Sequence, residues 1–234
     1  MVKVGKRKET QLLEIKDHTI EMFLQVQKML DLSKILLDEN SNEIAVMIIE
    51  EDQYLGELQK DLILEINHVI IKEQPRATDL RIVMGSYALS SDLERIGAYF
   101  KGFAKMMLKS NIEDRKHQKI VSTLFDEIAA RLEDTKIAYE TQNHQLAKSI
   151  AKRDEEIDDL SKKLVANVNK MLEESTDKSE VKALTRILVL AKTFERAGDH
   201  LVNICEQISY IERGQIYNYS WNKKRPLKRS FFIS

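Results

Sequence analysis

Through almost the whole chain, apolar residues recur alternately three and four positions apart, the spacing that lays one buried stripe along an α-helix. Ile48, Leu55, Leu62 and Val69 are strictly seven apart. Leu184, Ile187, Ala191, Phe194, Gly198, Leu201, Cys205 and Ile208 keep the same rhythm over a second long stretch. Little interrupts the pattern. The 234 residues hold seven Gly and two Pro, and both Pro75 and Pro226 fall outside the periodic runs. Such a chain is expected to form long helices packed side by side.

The breaks in the pattern place the helices. The first covers 8–37, with Leu12, Ile15, Thr19, Met22, Val26, Met29 and Ile35 near helical spacing; at about 1.5 Å per residue it is roughly 45 Å long. The polar run Asp38-Glu39-Asn40-Ser41-Asn42 turns into a second helix, 43–72. Glu73-Gln74-Pro75-Arg76 ends that helix, because proline stops a helix and biases the residue before it toward extended geometry. A third helix covers 78–108, and Ser110-Asn111 reads as the cap of a fourth, 112–141. Asn143-His144 leads into a fifth, 145–172, and Glu174-Ser175-Thr176-Asp177 precedes the sixth, 181–213. Short connections make consecutive helices antiparallel neighbours.

The arrangement repeats. Asp92-Leu93-Glu94-Arg95-Ile96-Gly97 matches Thr193-Phe194-Glu195-Arg196-Ala197-Gly198, with Glu94 and Glu195 101 positions apart. Glu43-Ile44-Ala45 with Ile48 and Asp52 matches Gln145-Leu146-Ala147 with Ile150 and Asp154, 102 positions on. The expected fold is all-α: six long antiparallel helices in two tandem, repeat-related three-helix bundles, 1–109 and 110–213, followed by a basic flexible tail, 214–234. A unit of about 100 residues is long enough to bury its own core. Ser86, Ser90, Gly97 and Ala104 in the third helix point to close helix approach inside the first bundle.

Charge narrows the partners. Charged residues are 32% of the chain, yet 37 basic residues face 38 acidic ones and the net charge is -1, so nucleic acid is not expected as a partner. The single Cys205 lies in an apolar stripe, which suits packing and excludes an intrachain disulfide. The basic stretch 1–14 lacks the apolar run of a secretory signal, and no run of about 18 apolar residues occurs, so a cytoplasmic protein is expected. No Ser-His-Asp set, P-loop or dinucleotide fingerprint is present.

The chemistry concentrates in carboxylates. Glu195 and Asp199 are four apart, one turn apart on one side of the sixth helix, just beside its apolar stripe. Asp154 and Asp158 stand in the same relation to the stripe Ile150, Ile157, Leu164 and Met171 on the fifth. If the two pairs converge on one ridge, four carboxylates without a thiolate suit a hard cation: Mg²⁺, Mn²⁺, Ca²⁺ or iron. Asn203 and Glu206 continue the face with further oxygens, and His200, about 100° around the helix, is an additional candidate ligand. Solvated surface pairs remain the alternative, since helices this charged carry acids at i,i+4 often. The first copy is degenerate. Gly56, Ala98, Gly102 and Lys105 stand where the second has Asp158, Asp199, Asn203 and Glu206, leaving Asp52 and Glu94. Any metal is therefore expected on the second bundle. Beyond Gly214 the basic, aromatic run 221–229 reads either as a flexible end or as a docking peptide for an anionic lipid surface or acidic partner.

Taken together, Glu195-Arg196-Ala197-Gly198-Asp199-His200 with Asn203-Ile204 and Glu206, Glu94-Arg95-Ile96-Gly97, and Gln74-Pro75-Arg76-Ala77-Thr78-Asp79-Leu80-Arg81 resemble the PhoU family. The resemblance extends to about Gly214 and includes the repeat. It implies two similar three-helix bundles, each with an acidic E/D-x-x-x-D motif on two helices that can hold metal clusters. Carried over, the motif falls on Asp154, Asp158, Glu195 and Asp199; in the first bundle Asp52 and Glu94 match, whereas Gly56 and Ala98 depart from it. The implied cofactor is a divalent or trivalent metal ion, with iron, manganese, zinc, magnesium and calcium all open. The implied function is a non-enzymatic adaptor between the ATPase subunit of the phosphate ABC transporter and the sensor histidine kinase of the phosphate response. Such an adaptor damps uptake and the starvation response when phosphate is plentiful. A homodimer, reaching the membrane through its partners, is expected. Two other readings stand beside it: a metal-free helical scaffold or coiled-coil partner, and a carboxylate-bridged di-metal enzyme. The enzyme needs paired Glu-x-x-His motifs, and this chain offers one acid-x-x-His, Asp114-Arg115-Lys116-His117.

Overall fold

Helix starts follow the capping chemistry of the sequence. Ser41 accepts the Ile44 N–H at 3.4 Å, Asn143 that of Leu146 at 3.0 Å, and Asp177 that of Ser179 at 2.9 Å, each satisfying a donor that the first helical turn leaves open. The computed structural model describes residues 2–109, 112 and 115–219, among which there are seven helices, three of them opened by these caps. They are α1 (Val2–Glu39), α2 (Asn42–Glu73), α3 (Thr78–Lys109), α4 (Arg115–Glu140), α5 (His144–Lys152), α6 (Asp154–Glu174) and α7 (Lys178–Arg213). The described residues contain no strand. Side chains are described over the same residues except 2–8, 115–117, 154–157 and 160. The cap expected at Ser110-Asn111 lies outside the described residues.

The all-α expectation holds, with one difference. The helix expected over 145–172 is two helices, divided at Arg153. Two arginines explain the division. Arg131 of α4, 2% exposed, sends one guanidinium nitrogen to the Arg153 carbonyl and another to Glu127 at 3.2 Å, while Arg153 itself pairs with Asp134. The Arg153 N–H falls between the Ser149 and Ile150 carbonyls, at 3.3 and 3.1 Å, the tightened turn of a helix end. A buried guanidinium needs acceptors, and here it takes a backbone carbonyl from the helix path.

Helices α1, α2 and α3 pack on one another, and α7 packs on α4, α5 and α6. The apolar heptad of α2 is the centre of the first group: Ile48, Leu55, Leu62 and Val69 are fully buried. Each contributes roughly 1.5–3 kcal/mol relative to exposure. Gly97 of α3 admits Leu55 so closely that a Cβ there would lie 2.3 Å from Leu55 Cδ2, which accounts for the small residue.

The two groups join through α3 against α7 and α1 against α4. Gly85 of α3 plays the same part here, since a Cβ would lie 2.4 Å from Ile211 of α7. Phe125 of α4 sits among Phe103 (centroids 5.1 Å), Phe194 (4.7 Å) and Phe100 (6.3 Å), so one aromatic ring ties three helices. Tyr139 of α4 lies tilted against Phe23, with ring centroids 5.9 Å apart, and shares a 2.8 Å hydrogen bond with Ser86. Arg81 donates to the Ile211 carbonyl at 3.1 Å and covers Gly214, whose φ of 70° ends α7 in the left-handed turn glycine tolerates.

The chain does not leave the body at Gly214, where the sequence reading begins the tail. Residues 215–219 turn back along α7. Tyr217 packs on His144 (4.8 Å), the Tyr219 hydroxyl meets Ser209 at 2.9 Å, and the Tyr219 N–H donates to Glu206 at 2.6 Å.

Two measurements check this packing. Phe125→Ala is expected to cost about 3–5 kcal/mol in urea unfolding, because three rings lose their common partner. Burial pushes the Tyr139 phenol above its ordinary value, against the smaller opposing effect of its bond to Ser86. The stability tied to the neutral phenol is therefore complete below pH about 10 and lost as pH rises through the folded-state value. Tyr139→Phe is expected to show a shallower alkaline fall in unfolding free energy than wild type.

Candidate functional site

On α7 the stripe Ala191, Phe194, Gly198, Leu201, Cys205 and Ile208 is buried, which turns the neighbouring positions outward. Glu195 is partly buried and Asp199 exposed, one turn apart. Because α6 begins directly after the Arg153 turn, Asp154 is its first residue and Asp158 follows one turn on. The Asp154 side chain lies outside the described residues.

Between α6 and α7 lies a cavity of about 490 Å³. Asp158, Ser161 and Val165 line it from α6, and Ala191, Lys192 and Glu195 from α7. Asp158 and Glu195 thus face one opening. Lys192 pairs with Glu195 at 2.6 Å; Lys192 is exposed and Glu195 only partly buried, so the pair contributes at most about 1 kcal/mol and is readily exchanged. Ser161 is 3% exposed and its hydroxyl has no hydrogen-bond partner among the described residues. Sequence reasoning missed Ser161, because a serine in so charged a stretch of helix carries no signal of burial.

Three other candidates are placed elsewhere. His200 points across to α3, its Nδ1 at 2.7 Å from Asp92 and its Nε2 at 3.2 Å from the Tyr99 hydroxyl. Asn203 donates to the same Asp92 oxygen at 3.2 Å. Glu206 accepts the Tyr219 N–H. His200 and Asn203 therefore serve the seam between the bundles, and Asp92, which sequence reasoning did not single out, is its shared acceptor.

The first copy is closed from within. Lys101 of α3 places its ammonium 2.5 Å from Asp52, whose side chain is 11% exposed, and Glu94 stands partly buried on α3. Over Gly56 and Gly102 there is open space. A lysine already holds the one recessed carboxylate, so these residues do not fit a metal ion. The second copy fits better by donor chemistry, with Asp158, Glu195 and the Ser161 hydroxyl all offering oxygen to one opening. Among the described residues, however, no three His, Cys, Asp or Glu side chains stand together as a preformed metal site.

Fold and site together define a tandem helical-bundle protein with an acidic groove on its second bundle. Comparison with known proteins gives the particular family. The PhoU domain matches twice, at residues 19–107 and 121–208. The chain is 29% identical over 211 residues to a phosphate-specific transport system accessory protein PhoU homolog of Clostridium acetobutylicum, covering 88% of this chain and 94% of that one. It is 31% identical over 224 residues to the PhoU homolog of Borreliella burgdorferi, covering 91% and 98%. The crystal structure of the phosphate transport system regulatory protein PhoU from Streptococcus pneumoniae superposes with a TM-score of 0.81 at 23% identity, over 90% of this chain and 99% of that one. The chain belongs to the PhoU family.

The seam is testable without any ligand. Asp92→Ala is expected to cost about 1–3 kcal/mol in urea unfolding, because the His200 and Asn203 donors lose their acceptor where they are only partly exposed to water.

Proposed function

We propose that this chain regulates phosphate-specific transport as a non-enzymatic adaptor. The double match to the PhoU domain carries the reading, and the relatives named as accessory proteins of phosphate-specific transport supply its direction. Its partners on this reading are the ATPase subunit of the phosphate transporter and the sensor histidine kinase of the phosphate response, and a second copy completes a homodimer. Uptake and the starvation response are damped when phosphate is plentiful. Among the described residues no helix is long and apolar enough to cross a membrane, so contact with the transporter runs through docking of helical faces.

The second bundle carries a hard cation on this reading, held by Asp158, Glu195 and Asp199 with Asp154. The cation would let an acidic surface accept a phosphate or carboxylate oxygen that the bare carboxylates repel. Asp158 and Glu195 on the walls of one opening support it. A metal-free scaffold is the second reading, favoured by the Lys192–Glu195 pair.

Two experiments decide between them. In cells lacking the gene, a starvation reporter is expected to stay on at high phosphate, and unchanged repression would overturn the regulator. In calorimetric titration with Mn²⁺, Asp199→Ala is expected to weaken binding by about tenfold or more, some 1.4 kcal/mol. Equal affinities would leave the scaffold.

A further inference from the structure

The groove between α6 and α7 holds a cavity as well as carboxylates. Its volume, about 490 Å³, falls in the range of small-molecule sites, roughly 300–1,000 Å³. It follows α6 from Asp158 to Asn169, eleven residues and about 16 Å of helix. The lining changes along that length. Asp158 and Ser161 come first, and Val165 and Ala166 follow, with Ala191 of α7 beside them. Because α7 returns along α6 from the turn at 175–177, Glu195 comes level with the Asp158 end.

Ser161 is the exception among the buried serines and threonines of the described residues. Thr19, Ser33, Thr135 and Ser209 each give their hydroxyl to the carbonyl four residues back. Ser90 gives its own to the Tyr87 carbonyl, and Ser86 shares one with Tyr139. These are the ordinary ways a helix satisfies a buried hydroxyl. Ser161 is 3% exposed, lines the cavity and makes no such bond. Its hydroxyl is left for whatever fills the space.

Charge sets what that is. Glu195 already accepts an ammonium, that of Lys192 at 2.6 Å. The Lys192 side chain is 58% exposed and that of Lys162 is 74% exposed, so both long stems can swing their charge back to water. Glu195, 34% exposed on a shorter stem, cannot follow. With the lysines withdrawn, the polar end of the cavity is acidic.

We propose that this cavity binds an aliphatic amine. The ammonium replaces that of Lys192 on Glu195 and donates to the Ser161 hydroxyl oxygen, and the hydrocarbon body lies along Val165, Ala166 and Ala191. Such a ligand supplies both a charge-assisted hydrogen bond and the apolar surface that the walls lack. Neither a bound metal nor a protein partner is needed for it.

Calorimetric titration of the full chain in chelator tests this with decylamine, decanol and decanoate, three head groups on one tail, each kept below aggregation. Decylamine is expected to bind once per chain and about tenfold or more tighter than the other two. Ala166→Phe, which fills the cavity from its exposed lip, should abolish binding. Ser161→Ala should weaken binding severalfold without lowering the urea midpoint, since the unpartnered hydroxyl does not stabilise the empty protein. Glu195→Gln should leave decylamine no tighter than decanol. Unchanged helical circular dichroism shows that the variants fold. No binding, equal binding of the three head groups, tightest binding of decanoate, or an affinity for decylamine unchanged in Ala166→Phe would each overturn the proposal. Chelator removes metal ions, so failure here leaves the cation and regulator readings standing.

Discussion

Close contact of α3 with α7 is the constraint on which the rest of the molecule depends. It needs Gly85 under Ile211, Arg81 on the end of α7, and the Phe103, Phe125 and Phe194 rings between the bundles. Successive helical residues point about 100° apart, so fixing one face of α7 against α3 fixes all the others. With His200 and Asn203 turned to Asp92 across the seam, Glu195 and Asp199 are carried to the outer side. The polar seam and the acidic groove are thus two consequences of one helix orientation.

A second decision is made at Arg153. A continuous helix would have kept the Arg153 carbonyl for its own hydrogen bond. The buried Arg131 guanidinium instead takes the Arg153 carbonyl, and a new helix starts at Asp154. Among the described residues α6 then packs chiefly on α7, whereas α2, the counterpart of α5 and α6 together, packs closely on both α1 and α3 along its length. The opening that Asp158 and Glu195 share lies along this looser helix pair.

The two copies have taken opposite electrostatic solutions on one scaffold. In the first, Lys101 supplies a cation from the chain itself and holds Asp52, and glycines leave the surface open above. In the second, the position matching Lys101 is the buried Val202, and Glu206 stands where the first has Lys105. Duplication preserved the helices because their stripes need only apolar bulk. The outward positions were free to change sign, since exposed charges contribute little to folding.

The helices, the repeat and the acid pair on α7 were legible in the chain because each is a local pattern, written within a few turns of helix or copied at a fixed offset. The apolar stripe along α7 and the end of α2 at Gln74-Pro75 are of this kind. What the sequence could not disclose was every partnership over distance. Lys101 meets Asp52 across 49 residues and His200 meets Asp92 across 108, with no spacing rule to announce either. Arg131 breaks a helix 22 residues away by taking its carbonyl, and the return of Tyr219 to Glu206 holds a stretch that periodicity had assigned to the tail. Periodicity determines which side of a helix is buried. Only the packed structure decides what that side is buried against and, for each polar group beside it, which partner it finds.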